Sequence, residues 1–234
     1  LHGRFKHLSG RIFPEWDASV HVYEPSQFNP LYNGYSPVGH EPSPIPLAMG
    51  CDPHYRRPWM MVWLAVMPDG SICVVREWPN EPFERMKNSR YGFDDYKRII
   101  SEVEGTFPGG GGRVLWREFD PHLANTPHQQ AVGSTTILQE MRKRDLYFRA
   151  DVNDKIHFGH SLIHTLLRYD TKEPVSATNR PKLIVSSECR NLIYAFENYT
   201  WDERMDQDWD KPLRDKPKES GKDAVDALRY ALVR

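Results

Sequence analysis

The sequence predicts an α/β fold in which a mixed central sheet carries a β-hairpin and flanking helices. Two β-rich runs, about 59–67 and 71–78, flank the turn residues Pro68-Asp69-Gly70, which is typical of a hairpin. Further strands then alternate with helical segments along the chain. This alternation favours a sheet of mixed direction that is covered by helices.

The chain divides into an irregular start and a folded remainder. Residues 1–46 are rich in Pro, Gly, His and aromatic residues, which is typical of an arm or linker with little regular structure of its own. The predicted folded domain covers residues 47–234 and opens with PLAMGCD, an apolar strand that ends at Asp52. The chain starts at Leu1 without a methionine, so we interpret it as a piece of a longer protein.

The rest of the domain alternates between the two regular structures. After the hairpin we expect a helix, a strand that ends in Asp120, a helix, a short strand, a long helix, a strand and a helix, at about 94–107, 113–121, 135–144, 146–150, 154–169, 182–186 and 188–198. The glycine run 109–112 predicts a turn, and 202–218 predicts a polar loop. A final helix follows Ser220, whose hydroxyl can cap it.

Composition is that of a globular protein with a core. Of 234 residues, 39% are hydrophobic and 27% charged, and the net charge of −1 provides no global basic field for nucleic acid. Cys51, Cys73 and Cys189 are widely spread and form neither a disulfide framework nor a zinc motif, which favours a reducing cytoplasm. No apolar run reaches membrane-spanning length, and no signal peptide is visible.

The stretch SGKDAVDALRY places Asp223 and Asp226 about 60° apart on a helical wheel. They border an apolar stripe that faces the core. Acidic residues in a first helical turn complement the helix dipole in many proteins, so this pair alone does not indicate an active site. Two carboxylates at this spacing also repel each other, and a divalent metal ion would relieve that repulsion.

Two further carboxylates stand at strand ends. Asp52 and Asp120 are each followed by proline, which is also a common turn signature. In α/β proteins, however, sites form where strand ends and helix starts gather. Three separate elements therefore deliver Asp52, Asp120, Asp223 and Asp226 to positions that suit a single site.

The order of these motifs resembles the nuclease domain of the large terminase subunit of tailed bacteriophages. MGCDPHYRRPWMMVWLAVMPDGSICVVREWP is similar to the family's first acidic motif and hairpin, REFDPHLANT to its second motif, and KDAVDALRYAL to its third. The early segment GRIFPEWDASVHVY resembles the connection between the family's ATPase and nuclease domains. The resemblance covers essentially the whole chain.

The resemblance implies an RNase H-like fold and a two-metal endonuclease, a hydrolase that cuts concatemeric double-stranded viral DNA during genome packaging with little sequence specificity. It implies that Asp52, Asp120, Asp223 and Asp226 are the catalytic metal ligands. The expected cofactors are two Mg²⁺ or Mn²⁺, because carboxylate ligands suit hard ions. The family varies at the position of Asp223, so which member of the final pair binds metal more directly stays open.

The resemblance also implies partners. These are double-stranded DNA and, in the full-length protein, an ATPase domain, a small terminase subunit and a portal, in the host cytoplasm and without a membrane. No G-x-x-x-x-G-K-[ST] sequence is present, so we interpret the chain as the nuclease domain without its motor. Residues 1–46 would then be the linker from that missing ATPase domain.

Four basic residues near the acids are candidates for DNA phosphate contacts: Arg56, Arg57, Arg117 and Lys222. His160 and His164 lie four residues apart on a predicted helix, but no Glu completes a zinc-protease motif, and we expect no metal there. Two alternatives remain. One is a Holliday-junction resolvase-like or transposase-like nuclease of the same fold, and the other is a non-catalytic domain that docks to a motor or portal.

Overall fold

The computed structural model describes residues 10–32, 45–55, 57–82, 85, 90–110, 113–129, 133–152, 155–201 and 222–233. Its strands are β1 (Val22–Tyr23), β2 (Leu47–Asp52), β3 (Met60–Val66), β4 (Ile72–Trp78), β5 (Val114–Phe119), β6 (His128–Gln129), β7 (Ser134–Thr135) and β8 (Leu183–Ser186). Its helices are α1 (Ala18–His21), α2 (Phe93–Gly105), α3 (Pro121–Asn125), α4 (Ile137–Arg142), α5 (Ile156–Leu167), α6 (Arg190–Asn198) and α7 (Lys222–Leu232).

Six strands form one mixed sheet in the order β1-β8-β4-β3-β2-β5. The hairpin strands β3 and β4 are antiparallel, as are β2 and β3. The pairs β1–β8, β4–β8 and β2–β5 are parallel. The predicted mixed α/β architecture is therefore confirmed, and β6 and β7 form a small separate ribbon.

The predicted hairpin is also confirmed. Its turn closes through two backbone hydrogen bonds, from Met67 N to Ser71 O at 2.8 Å and from Gly70 N to Met67 O at 2.9 Å. Gly70 has a φ of 78°, a left-handed conformation that glycine adopts without steric cost. The Asp69 carboxylate accepts from both the backbone N–H and the hydroxyl of Ser71, which fixes the turn.

The sheet separates two apolar cores. Strand β2 shows the alternation clearly, because Leu47, Met49 and Cys51 pack with α2 and α4, whereas Ala48 packs with α5, α6 and α7. All of these residues are fully buried. Gly50 and Asp52 follow Ala48 at intervals of two, so they face α7 as well. This alternation decides on which side of the sheet each polar residue of β2 and β5 lies.

Part of the predicted arm belongs to the folded core. Ile12, Phe13 and Trp16 are 2%, 0% and 4% exposed, and Trp16 stacks on Phe196 of α6 with ring centroids 4.4 Å apart. The segment also supplies α1 and the edge strand β1. Residues 10–32 thus have little regular structure beyond the short α1 and β1, but their aromatic side chains are buried against α6.

Other differences are local. The strand expected at 146–150 is reduced to a single bridge between Arg149 and Glu118 of β5. Several positions named above, including Ser220, the loop 202–218 and Arg56, lie outside the described residues. Within the described part of the chain, no helix has the length and apolar character to cross a membrane.

Candidate active site

Two of the four predicted carboxylates lie side by side at the end of the sheet. Strands β2 and β5 are parallel, and Cys51 pairs with Phe119. Asp52 and Asp120 are the next residues on the two strands, and the Asp120 N–H donates to the Cys51 carbonyl at 3.2 Å. Because neighbouring strands lie about 4.8 Å apart, this register brings the two side chains to one edge.

Helix α7 brings the other two carboxylates to the same edge. It packs across β2, and a β-carbon added to Gly50 would lie 1.9 Å from the carbonyl oxygen of Ala227. Glycine is therefore required at residue 50 for this close approach. Asp223 lies about one turn before Ala227 and Asp226 immediately before it, and both are 9% exposed, so the helix holds them against the ends of β2 and β5.

The four carboxylates act on each other electrostatically. Burial raises the pKa of Asp52 well above its ordinary value, and the charges of Asp223, Asp226 and Asp120 raise it further. Burial also raises the pKa of Asp226, partly offset by the neighbouring Arg229. The site therefore concentrates negative charge where burial weakens the screening by water.

Three of the four acids have a partner. The Arg57 guanidinium binds the Asp223 carboxylate at 2.8 Å, and Arg229 binds Asp226 at 3.1 Å. Asp120 caps α3 by accepting from the backbone N–H of His122 at 2.7 Å. Among the described residues, no three His, Cys, Asp or Glu side chains are grouped in a way that could hold a metal ion.

The donor set itself fits a hard divalent cation. The site offers four carboxylates and no sulfur or imidazole ligand among the predicted residues, which is the chemistry that Mg²⁺ and Mn²⁺ prefer. Burial and the charges of three neighbouring carboxylates raise the pKa of Asp52, and a bound cation would oppose that effect. Metal binding would need the side chains to turn from their present partners.

The structure separates the basic candidates. Arg57 contacts the acid cluster directly. Lys222 is the first residue of α7, and its charge opposes the raising of the Asp226 pKa by burial. Arg117 is not brought to the site. Its side chain forms a two-nitrogen ion pair with Glu104 of α2, on the opposite face of the sheet. Arg56 lies outside the described residues.

Sequence reasoning missed three residues of the site. Gly50 carries the close contact with α7, and a glycine inside an apolar strand was a usable signal for it. Arg229 lies three residues after Asp226, the spacing at which helical side chains meet. Glu118 is fully buried two residues before Asp120 and lies 3.8 Å from Arg149, measured from Arg149 Nε to Glu118 Oε1.

The two histidines of α5 have separate surroundings. His164 Nδ1 contacts the carboxylate of Glu15 at 2.8 Å. His160 is 3% exposed and packs edge-on against the rings of Phe13 and Tyr199. Burial and, to a smaller extent, the charge of Arg229 lower the pKa of His160 to about 4.

Comparison with known proteins identifies the fold. No family model matches the sequence, and no curated protein matches it. Among solved structures, the chain is similar to the large terminase of a thermophilic bacteriophage, with a TM-score of 0.66 and 16% identity, over 95% of this chain and 44% of that chain. The chain thus spans less than half the length of that large terminase.

Two isolated nuclease domains match over nearly their whole length. For the P22 large terminase nuclease domain, the TM-score is 0.60 at 14% identity, over 96% of this chain and 92% of that one. For the large terminase nuclease of thermophilic phage G20c, solved with bound magnesium, the TM-score is 0.53 at 10% identity, over 95% of this chain and 96% of that one.

These matches place the chain in one structural class. Its mixed sheet and flanking helices have the RNase H-like fold of large terminase nuclease domains, and the predicted resemblance is confirmed at the level of the fold.

Proposed function

We propose that this chain is the nuclease domain of a large terminase subunit, a metal-dependent endonuclease that cuts concatemeric double-stranded viral DNA during genome packaging. The observation that carries the proposal is the meeting of Asp52, Asp120 and the two acids of α7 at one edge of a sheet with this fold. The bound magnesium of the G20c nuclease supports the choice of cofactor.

The residues of this chain would divide the work as follows. Asp52, Asp120, Asp223 and Asp226 would hold two Mg²⁺ or Mn²⁺, with α7 fixed in position by its contact on Gly50. When bound, two such ions would stabilise the attacking and leaving oxygens of a phosphodiester and lower the pKa of the attacking water. Arg57 and Lys222 would contact backbone phosphates beside the acids.

DNA binding through phosphates has two consequences. Phosphates are the same at every base pair, so the domain should cut with little sequence preference. Each neutralised phosphate releases counterions, so affinity should fall as salt rises. In the full-length protein we propose an ATPase domain, a small terminase subunit and a portal as partners in the host cytoplasm. The thermophilic bacteriophage large terminase of which this chain spans 45% has been solved in complex with ATP-γ-S.

A non-catalytic docking domain of the same fold is the second candidate. One observation favours it: among the described residues, no three possible ligands are arranged to hold one metal ion. The arginine and helix-cap contacts of Asp223, Asp226 and Asp120 account for this arrangement without excluding metal binding, because each is a side-chain contact that rotation of the carboxylate would break.

Plasmid digestion distinguishes the two candidates. We expect conversion of supercoiled DNA with Mg²⁺ or Mn²⁺ and none in EDTA. Asp52→Asn, Asp120→Asn and Asp223→Asn should each lower the cutting rate at least about 100-fold. Mutation of a residue that only supports a metal ligand already lowers metal affinity or activity 10–100-fold. Asp94→Asn is the control, since its carboxylate is exposed on α2 and pairs with Arg144. Cutting that persists in the three variants would contradict the site, and a folded protein that never cuts would favour the docking domain.

A further inference from the structure

The two acids of α7 are bound by two arginines whose side chains differ greatly in burial. Arg229 is 2% exposed, its guanidinium lies 4.4 Å from the centroid of the Tyr230 ring, and a β-carbon on Gly159 would be 2.1 Å from its Cγ. The surrounding atoms therefore fix Arg229 beside Asp226. Such a packed side chain cannot leave its partner without opening the contact between α5 and α7.

Arg57 is much more exposed. It lies in the connection between β2 and β3, its side chain is 30% exposed, and its Nη2 lies 2.8 Å from Asp223 Oδ1. The Asp223 side chain, by contrast, is only 12% exposed. Water can compete for the guanidinium of this ion pair, because the Arg57 side chain is the partly exposed partner. Arg57 can therefore turn towards solvent while Asp223 stays in place.

Arg57 also acts on the acid cluster as a whole. It follows Asp52 by five residues, and its charge opposes the raising of the Asp52 pKa by the other carboxylates. A divalent cation that enters between the carboxylates would be repelled by this guanidinium and would compete with it for Asp223. The bound arginine and the bound metal ion are therefore alternatives at Asp223.

We propose that Arg57 is a positioning residue that occupies Asp223 until metal binds, and that the released guanidinium then contacts a backbone phosphate of the DNA. The inference rests on the proposed nuclease function and adds an order of events to it. Metal binding releases the Arg57 guanidinium, which then strengthens DNA binding. The domain therefore binds DNA most tightly when metal ions are bound to its carboxylates. Arginine suits this role because its planar fork binds carboxylate and phosphate alike.

The test compares four proteins: wild type, Arg57→Gln, Arg57→Lys and the control Arg76→Gln. Arg76 is matched to Arg57, since its side chain is also 30% exposed and it binds Glu188 at 2.9 Å. Mn²⁺ binding is measured by calorimetry without DNA. Arg57→Gln should bind Mn²⁺ about two- to fivefold more tightly, the equivalent of one weak ion pair. Arg57→Lys and Arg76→Gln should bind it like the wild type.

Two further readouts separate this role from a merely structural one. In EDTA, the melting temperature of Arg57→Gln should fall below that of the wild type, and saturating Mn²⁺ should abolish the difference. The second readout is the affinity for a short DNA duplex with Ca²⁺ present. Arg57→Gln should make one phosphate contact fewer than the wild type, so its slope of log affinity against log salt should be smaller by about 1. Arg57→Lys should restore that slope.

The outcomes are distinct. Unchanged or weaker Mn²⁺ binding by Arg57→Gln, in a wild type that cuts DNA, would overturn the role of Arg57 and leave the nuclease proposal standing. If the melting temperature of Arg57→Gln falls equally below that of the wild type with and without Mn²⁺, Arg57 has only a structural role. A folded wild type that neither binds Mn²⁺ nor cuts DNA would overturn both proposals.

Discussion

Gly50 of β2 lies directly beneath Ala227 of α7, so close that a β-carbon at residue 50 would come within 1.9 Å of the Ala227 carbonyl oxygen and 2.9 Å of the Ala231 β-carbon. No rotamer change can relieve a clash with backbone. The contact fixes the height of α7 above the sheet and, with it, the positions of Asp223 and Asp226 over the ends of β2 and β5.

Gly50→Ala should therefore displace α7. We expect a loss of about 1–3 kcal/mol in unfolding free energy, the usual cost of overpacking, and a loss of metal-dependent cutting. Chemical denaturation and plasmid digestion measure the two effects. Gly105→Ala is the control, because nothing lies within 4 Å of a β-carbon at that helical position. It should be neutral or stabilising, and a Gly50→Ala protein of wild-type stability would refute the contact.

Arg117→Gln should affect stability rather than DNA binding. Arg117 pairs with Glu104, which is 4% exposed and also accepts from the indole N–H of Trp63 at 3.2 Å. Removing the arginine leaves a buried, uncompensated carboxylate, which costs about 3–5 kcal/mol. Urea denaturation should show this loss. The double variant Arg117→Gln, Glu104→Gln should recover part of the lost unfolding free energy. Weaker DNA binding that the fraction of unfolded protein does not explain would contradict a purely structural role of Arg117.

Glu77 should make stability depend on pH near neutrality. It is 2% exposed and accepts from the backbone N–H groups of Asn191 and Leu192 at the start of α6, at 2.7 and 2.9 Å. Burial raises its pKa to about 7 from 4.5, against the lowering effect of those hydrogen bonds. A raised pKa gives stability that is complete below pH 4.5 and is lost as the pH rises through 7.

Glu77→Gln should remove that component of the pH dependence. Between pH 4.5 and 7 the wild type should lose up to about 3 kcal/mol more unfolding free energy than the variant, at 1.36 kcal/mol per pKa unit. Denaturant titrations at a series of pH values measure the difference. Glu188→Gln controls for the loss of one carboxyl near the same helix end. Parallel pH profiles for wild type and Glu77→Gln would rule out this role.

His160 should have the opposite dependence. Within the described part of the structure, neither ring nitrogen of this buried side chain has a hydrogen-bond partner. Its pKa is lowered to about 4 from 6.5 by burial, then by the charges of Arg229, His164 and His157. A lowered histidine pKa gives stability that is complete above pH 6.5 and is lost as the pH falls towards 4.

His160→Phe should resist acid better than the wild type. Phenylalanine keeps the ring contacts with Phe13 and Tyr199 and cannot take up a proton. We expect up to about 3 kcal/mol of relative stabilisation between pH 6.5 and 4. Circular dichroism during acid titration tests this, with His122→Gln as the control for an exposed imidazole. Acid unfolding at the same pH in both proteins would contradict it.

Much of the architecture was predictable from local sequence. Alternating apolar residues and the Pro68-Asp69-Gly70 turn predicted the hairpin, and helical periodicity predicted α7 with its two acids. The candidate DNA contact of Arg117 rested only on its nearness to Asp120 in sequence. Arg117 precedes Asp120 by three residues, and side chains of a strand alternate, so the two side chains lie on opposite faces of the sheet.

The sequence by itself determined which elements form and which of them end in carboxylates, because turns, caps and periodicity are properties of neighbouring residues. Only the tertiary structure decided that α7 rests on Gly50, that Arg57 binds Asp223, and that the aromatic residues of 10–32 complete the core against α6. These contacts join residues far apart in the chain. Their geometry depends on packing between elements, which no local pattern encodes.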